Sequence, residues 1–305
     1  MESEISYNPN QQELEMCQKL ISKAKTAFAD PSQSGYYVRT AGITENGDIV
    51  TGGNKENSLS DAYVHGETAV ISHIRDVYGK VPIKAIGFYK EGNITEEDIS
   101  PCGACRDVLI QQTSPDLLLM SGNTNKIVVL KLKDFTFDNF HRINPTDIDA
   151  IGLKEALIAL NKSVSFYIPE NLKRKVYGVS IVDQNGNNFR GGLYTNCGYD
   201  AITPGLAAVQ TWNNSDQEKT GINKIVITGR NILPSPYYRD RQALLELSEV
   251  TYQNNVRVEL INLDNLDNIQ EVAITDTTEW LPRPFSAGNF GMNEAIREQH
   301  NKMFH

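Results

Sequence analysis

The chain has 305 residues, of which 40% are hydrophobic and 22% are charged, and its formal charge is −9. This length predicts about two domains, and the acidic charge disfavours nucleic acid as a partner because such proteins need basic patches. The sequence contains no apolar run near the ~20 residues of a membrane span, and its acidic, polar N-terminus does not resemble a signal peptide. Four cysteines suit a reducing cytoplasm and a metal or redox site better than a disulfide scaffold. We therefore expect a cytoplasmic protein with neither a membrane nor a nucleic-acid partner.

The predicted elements follow the same order in both halves of the chain: an amphipathic segment, a β-hairpin, a helix, a buried strand, a second helix and closing strands. In the first half they lie at residues 12–28, around Asn46-Gly47, at 66–78, at 83–89, after Pro101, and at 116–120 and 126–130. In the second half they lie at residues 150–161, around Asn185-Gly186, at 205–212, at 222–228, after Pro236, and at 256–261. Strands that alternate with helices predict an α/β fold in which helices flank a mixed sheet.

Three glycine pairs keep one constant spacing between the halves. Gly47 and Gly186, Gly53 and Gly192, and Gly66 and Gly205 are each 139 residues apart. A constant offset with matching turn chemistry indicates a tandem duplication. We place the boundary at the Asn144-Pro145 turn, which gives domains at residues 1–145 and 146–305.

Three residues of the first half form a candidate metal site. His65 begins a helix-patterned stretch, and Cys102 and Cys105 follow in a Pro-Cys-x-x-Cys segment. One imidazole and two thiolates suit Zn²⁺, and three protein ligands leave the fourth position open for water, as in a catalytic site. A Cys-x-x-Cys pair alone could also be a redox pair or half of a structural zinc site. Its combination with His65-Gly66-Glu67 favours the catalytic interpretation, in which Glu67 moves protons.

Four segments of the chain resemble one family. They are Gly52-Gly53-Asn54-Lys55-Glu56-Asn57, Val64-His65-Gly66-Glu67, Ser100-Pro101-Cys102-Gly103-Ala104-Cys105-Arg106 and Trp280-Leu281-Pro282-Arg283-Pro284-Phe285. Together they resemble the cytidine deaminases, specifically the two-domain, homodimeric branch with a degenerate C-terminal domain. The resemblance implies two tandem three-layer domains, one Zn²⁺ per chain on His65, Cys102 and Cys105, and conversion of cytidine or deoxycytidine to uridine or deoxyuridine in pyrimidine salvage.

The resemblance also implies roles for residues around the metal. Glu67 would be the catalytic acid and base, and six further residues would bind the nucleoside: Asn54 and Glu56 at the ribose hydroxyl, Tyr36 against the base, the Gly66 N–H at the base O2, the Ser100 carbonyl at the leaving group, and Phe285 lining the site. Tyr36 replaces the Phe of the family pattern and Arg39 replaces a small residue. Another aminopyrimidine nucleoside or a nucleotide is therefore an open alternative, in which Arg39 or Lys55 could meet a phosphate.

The second half lacks this chemistry. At the offset of 139, Pro204 stands for His65 and Leu206 stands for Glu67, and no cysteine lies near Pro236. We expect this half to hold no metal and to have a structural role. A further alternative is that the whole chain is a non-catalytic, zinc-stabilised binding protein, which the intact ligand set and Glu67 disfavour.

Overall fold

The computed structural model describes residues 7–57, 63–95, 97–123, 125–136, 138–164, 175–195, 201–251, 253, 255–286, 292, 294–296 and 298. The chain forms two compact units, residues 1–137 and 138–305. Each unit is a mixed α/β domain in which helices flank a sheet, so the predicted fold class is confirmed. No helix in the described part of the chain combines the length and apolar character needed to cross a bilayer.

The described residues of the first unit form three α-helices and a five-stranded sheet. The helices are α1 (Gln11–Ala24), α2 (Gly66–Tyr78) and α3 (Gly103–Gln112). The strands are β1 (Arg39–Thr44), β2 (Ile49–Gly53), β3 (Ile83–Tyr89), β4 (Leu118–Gly122) and β5 (Ile127–Lys131). Their order is β2-β1-β3-β4-β5, and only the β3–β4 pair among these is parallel.

The sheet of the first unit is buried on both faces because its strands carry apolar side chains on both. On one face α1 places Leu20 and Ile21 against Ala85 and Met120. On the other face residues of α2 and α3 pack in one cluster with Phe88 of β3. This gives three layers, and α2 and α3 lie on the same face.

Three α-helices and the strands of two sheets are formed by the residues that the structure describes in the second unit. The helices are α4 (Leu153–Asn161), α5 (Pro204–Asn213) and α6 (Tyr238–Val250). The main sheet is formed by β6 (His141–Ile143), β7 (Gly178–Asp183), β8 (Asn188–Gly192), β11 (Ile222–Gly229), β12 (Arg257–Asn265) and β13 (Asn268–Asp276), in the order β6-β13-β12-β11-β7-β8. The short strands β9 (Tyr194–Thr195) and β10 (Ala201–Ile202) pair with each other.

The two units share one topology. Read from β8, the second sheet repeats the first: an antiparallel hairpin, an antiparallel neighbour, a parallel neighbour and an antiparallel closing strand. Strands β1, β2 and β3 begin at Arg39, Ile49 and Ile83, each 139 residues before the first residue of β7, β8 and β11. The repeated topology supports the predicted duplication.

The division between the units lies earlier than the boundary predicted after residue 145. The units divide between residues 137 and 138, because β6 pairs with β13 in the second sheet. The predicted Asn144-Pro145 turn is present as a short 3-10 helix, Pro145–Asp147, inside the second unit.

Both predicted hairpin turns are confirmed. Gly47 has φ +89° and Gly186 has φ +81°. A left-handed backbone of this kind is easily adopted by glycine and strained for residues with a Cβ. The Gly47 N–H closes the first turn by donating to the Thr44 carbonyl at 3.0 Å. The second strand of this hairpin, β2, is an edge strand of the sheet and ends at Gly53. Asn54, a predicted substrate-binding residue, follows directly.

Candidate active site

Two helix N-termini bring the predicted metal ligands together beyond the carboxyl ends of β3 and β4. His65 is the N-cap of α2, and Cys102 is the N-cap of α3. Cys105 lies three residues later, so its side chain is on the same side of α3 as that of Cys102. The partial positive charge of the α3 N-terminus favours thiolates at both positions.

The three ligand atoms have the spacing of a metal site. Cys102 Sγ lies 3.3 Å from His65 Nδ1, and the His65 nitrogen and the two sulfurs of Cys102 and Cys105 all lie within 4.8 Å of one another. Neighbouring ligands on tetrahedral zinc, at ~2.3 Å for sulfur and ~2.0 Å for nitrogen, lie about 3.5 Å apart. The donor set and its spacing therefore fit zinc. Among the residues that the structure describes, no other group of three such side chains comes together in this way.

The two thiols are electrostatically unequal. The hydrogen bond with Cys105 holds the pKa of Cys102 well below its usual range, and His65 lowers it further. The same hydrogen bond, together with burial, raises the pKa of Cys105. Cys102 is the thiol whose sulfur lies directly beside the imidazole of His65.

Glu67 lies next to this cluster in the first turn of α2 and is only 6% exposed. Burial raises the pKa of its carboxyl, and the neighbouring Cys102 raises it further. The Cys105 thiol and the His65 imidazole act in the opposite direction and lower this pKa. A buried carboxyl with a raised pKa can accept a proton and return it at neutral pH.

The segment that carries the cysteines is held by one buried arginine. Arg106 is fully buried, and its Nε donates to the Pro101 carbonyl at 2.9 Å. Its guanidinium also donates to the Ser100 hydroxyl at 2.8 Å and to the Phe135 carbonyl at 2.9 Å. Ser100 itself is 7% exposed. Arg106 thus fixes the loop that presents the Ser100 carbonyl and the Cys102 thiol, a role that the sequence motif did not indicate.

Asn54 lies just after β2 and ties the start of β1 in place. Its side-chain oxygen accepts from the Val38 N–H at 3.0 Å, and its side-chain nitrogen donates to the Tyr36 carbonyl at 2.9 Å. Asn54 therefore positions Tyr36, whose ring is 40% exposed. An amide can make further hydrogen bonds, so its predicted contact with a ribose hydroxyl stays a prediction.

Glu56 is directed to a neighbouring loop. Its carboxylate accepts from the Gln33 N–H at 2.9 Å, and from the Ser34 N–H and hydroxyl at 2.8 and 2.5 Å. These contacts pair Glu56 with the loop before Tyr36. Its predicted contact with the ribose also stays a prediction, and it would require one of the two carboxylate oxygens to accept a further donor.

Gly66 packs too closely for a side chain. A Cβ there would lie 2.8 Å from Thr40 Cγ2 and 3.1 Å from Val38 Cγ1. The Thr40 hydroxyl lies 2.9 Å from the Gly66 carbonyl oxygen and links β1 to the first turn of α2. This close approach fixes the peptide whose N–H is predicted to meet the substrate base.

The family comparison agrees with this geometry. Residues 10–121 match the model of the cytidine and deoxycytidylate deaminase zinc-binding region. The matched residues include His65, Cys102 and Cys105, so the predicted zinc cofactor and its predicted ligand set are consistent with both the family match and the spacing.

Several solved cytidine deaminases are similar to this chain at low identity. The enzyme from Mycobacterium tuberculosis is 24% identical, the match covers 40% of this chain and 92% of that one, and the TM-score is 0.31. The enzyme from Mycobacterium leprae is 23% identical, with 39% and 92% covered and a TM-score of 0.30. The enzyme from Burkholderia pseudomallei is 23% identical, with 41% and 95% covered and a TM-score of 0.31. No curated protein is a significant sequence match.

In the second unit, a buried arginine identifies the positions that correspond to the candidate metal ligands of the first unit. Arg241 donates to the Pro236 and Trp280 carbonyls and to the Ser235 hydroxyl. Arg106 makes the same three kinds of contact in the first unit, with a proline carbonyl, an aromatic residue's carbonyl and a serine hydroxyl. Arg106 and Arg241 are 135 residues apart. At this spacing Tyr237 stands for Cys102 and Asp240 stands for Cys105.

Asp240 stands at the position of Cys105, but it accepts hydrogen bonds where Cys105 could bind a metal. It is fully buried and accepts from the hydroxyls of Thr203 and Tyr177, the latter at 2.7 Å. It also accepts from the Gly205 and Leu206 N–H groups at the start of α5, at 2.7 and 3.2 Å. Burial raises the pKa of this carboxyl, while its hydrogen bonds act in the opposite direction. The corresponding position of the second unit is thus a buried polar cluster.

We expect Asp240→Ala to destabilise the chain by about 2 kcal/mol, because it leaves buried donors unpaired. The loss is limited because the substitution also removes a carboxyl that burial disfavours. Denaturant unfolding would measure it. Asp216→Ala, at an exposed acid of the same unit, is the control and should change stability by less than about 0.5 kcal/mol. Equal stability of the two variants would contradict the structural role of Asp240.

Two charged residues near the site were not predicted. Lys90 follows β3 and forms an ion pair with Asp98, which belongs to the 3-10 helix Glu97–Ile99. The two residues are eight positions apart, and no sequence pattern links them.

Phe285, the last predicted substrate residue, lies in the second unit and is partly buried. Its role in the site stays a prediction.

Proposed function

We propose that the chain is a zinc-dependent hydrolytic deaminase of aminopyrimidine nucleosides, converting cytidine and deoxycytidine to uridine and deoxyuridine with release of ammonia. The observation that supports this most directly is the buried Glu67 beside the cluster of His65, Cys102 and Cys105. A purely structural zinc site has four protein ligands and no need of a buried carboxyl next to it. This combination favours catalysis over a zinc-stabilised binding protein.

In this proposal His65, Cys102 and Cys105 hold one zinc ion per chain. Zinc in a three-ligand site lowers the pKa of a water in its open position to about 7. The Glu67 carboxylate takes a proton from the attacking water and delivers it to ring N3 of the pyrimidine. The oxygen of the attacking water bonds to C4. Glu67 then takes the remaining proton of that oxygen and transfers it to the amine, so that the C4–N bond breaks, a C4 carbonyl forms and ammonia leaves. One carboxyl serves in succession as base and acid, as its raised pKa permits.

The remaining roles concern binding. The Gly66 N–H would meet the base O2, the Ser100 carbonyl would face the amine, and Tyr36 would lie against the ring. Asn54 and Glu56 would bind a ribose hydroxyl. The contacts of Asn54 and Glu56 with residues 33–38 give these side chains a second role, since they hold Tyr36 and its loop in position. Cytoplasmic pyrimidine salvage and a homodimer are further predictions of the family resemblance.

A substrate panel tests the proposed function. The purified, zinc-loaded chain would be assayed for ammonia release from cytosine, cytidine, deoxycytidine, deoxycytidine monophosphate and adenosine. We expect turnover of the two nucleosides and none of adenosine. Inactivity toward every aminopyrimidine at full zinc occupancy would contradict the proposal, and the chain would then be a binding protein.

Phe285 offers a separate test of the closing segment. If its ring lines the site, Phe285→Ala should raise the KM for cytidine about tenfold. A change of this size corresponds to the free energy gained when much of an aromatic side chain is buried against a ligand. Steady-state kinetics would measure it, with Phe28→Ala as the control because Phe28 is 71% exposed. An unchanged KM in Phe285→Ala would remove this residue from the binding site.

A further inference from the structure

The ion pair of Lys90 and Asp98 lies on the same face of the first sheet as the metal ligands. Phe88, near the end of β3, packs with the residues of α2 and α3. Side chains alternate along a strand, and the Lys90 N–H continues the pairing by donating to the Gly122 carbonyl at 3.1 Å. Lys90 therefore lies on the face of Phe88. Its partner Asp98 precedes Cys102 by only four residues.

Asp98 is held so that it neutralises Lys90. One carboxylate oxygen pairs with the Lys90 ammonium, and the other accepts from the Thr95 N–H at 2.7 Å and the Thr95 hydroxyl at 3.1 Å. Burial opposes ionisation, but the hydrogen bonds from Lys90 and Thr95 outweigh it and lower the pKa of Asp98. The Asp98 side chain is 11% exposed and that of Lys90 is 38% exposed. Lys90 is thus partly exposed to solvent, and its charge is compensated by an ionised, fixed carboxylate.

Tyr36 connects this ion pair with the catalytic carboxyl. Burial raises the pKa of the Tyr36 phenol, Lys90 lowers it, and Asp98 and Glu67 raise it. The phenol is therefore within electrostatic range of all three charged groups. Tyr36 is partly exposed, whereas Glu67 is buried.

We propose that Asp98 determines the charge class of the substrate: by neutralising Lys90 it adapts the site to uncharged aminopyrimidine nucleosides and disfavours their 5′-monophosphates. The inference rests on the deaminase function proposed above. Without Asp98, Lys90 would present an uncompensated ammonium, which is the chemistry that binds phosphate. Of the two cations considered from the sequence, Arg39 lies over the Tyr37 ring and Lys55 donates to the Gly53 carbonyl at 3.4 Å.

Two substitutions should shift selectivity in opposite directions. Asp98→Asn keeps the shape and an oxygen for Thr95 but removes the negative charge. It should raise the ratio of kcat/KM for deoxycytidine monophosphate to that for deoxycytidine by about tenfold, the size expected for one partly screened charge near a phosphate. Lys90→Gln leaves Asp98 uncompensated and should lower the same ratio by about tenfold. Both shifts should weaken as salt is added.

The full, zinc-loaded chain would be assayed on both substrates, with zinc content and melting temperature measured for each variant. Asp116→Asn is the matched control, because it removes the same charge from an exposed ion pair of the first unit with Lys133. Its ratio should equal that of the wild type. A wild type that prefers the monophosphate, or an Asp98→Asn variant with an unchanged ratio, would overturn the specificity proposal while leaving the deaminase function standing. A wild type that deaminates neither substrate would remove the proposed function and this inference with it.

Discussion

Glu67→Gln should reduce kcat for cytidine by at least ~100-fold, the lower end of what a positioned proton-transfer group contributes. The amide keeps the size of the carboxyl, but it cannot accept a proton from water or return one to the amine. Because Glu67 is not a metal ligand in the proposed site, the variant should keep one zinc per chain. Single-turnover assays of ammonia release and metal analysis of the same sample would measure both quantities.

The stability of this variant gives a further measurement. Burial raises the pKa of the Glu67 carboxyl, which means that the folded chain disfavours its charge. A neutral amide avoids that cost, so the melting temperature should not fall, as is common when a charged active-site group is replaced. Glu45→Gln, at an exposed acid near Lys84, is the control and should leave kcat unchanged. Near-normal turnover in Glu67→Gln would exclude Glu67 as the proton carrier.

The secondary structure around the site could be predicted because its signals are local. The helix at residues 66–78 and the strand at 83–89 are found with these bounds, since glycine, apolar periodicity and β-branched runs mark them. Strand β13 was missed because the turn between β12 and β13 contains none of the glycine dipeptides that mark a hairpin. Strand β6 was missed because three residues beside a proline turn carry too little pattern.

The positions around the metal were only partly predictable. Cys102 and Cys105 are close in sequence and form a recognisable motif, but the clamps by Asn54 and Arg106 join residues that are far apart in the chain. The constant offset of 139 also misplaces the second unit's counterpart of Cys105, because the segment before α6 is four residues shorter than that before α3. Only the hydrogen bonds of Arg241 identify Asp240 as the residue at that position.

Cys102→Ala should abolish zinc binding and activity together. The substitution leaves His65 and Cys105 as the ligands of the proposed site, and two ligands do not retain zinc against a competing chelator. The second unit cannot compensate, since Tyr237 and Asp240 stand where its cysteines would be. After dialysis against a chelator, the wild type should retain about one zinc per chain and the variant less than about a tenth of that. Metal analysis measures this directly.

Cys17→Ala is the matched control for this experiment. Cys17 is fully buried in α1, and burial raises the pKa of its thiol to about 11, so it is a protonated, apolar side chain outside the metal cluster. Its variant should keep zinc and activity, at the cost of a small loss of packing. Zinc that binds only the folded state must also stabilise it. The melting temperature of the wild type and of Cys17→Ala should therefore fall when zinc is removed, whereas that of Cys102→Ala should not respond to zinc. Stoichiometric zinc in Cys102→Ala would contradict the ligand assignment, and with it the site on which the proposed chemistry depends.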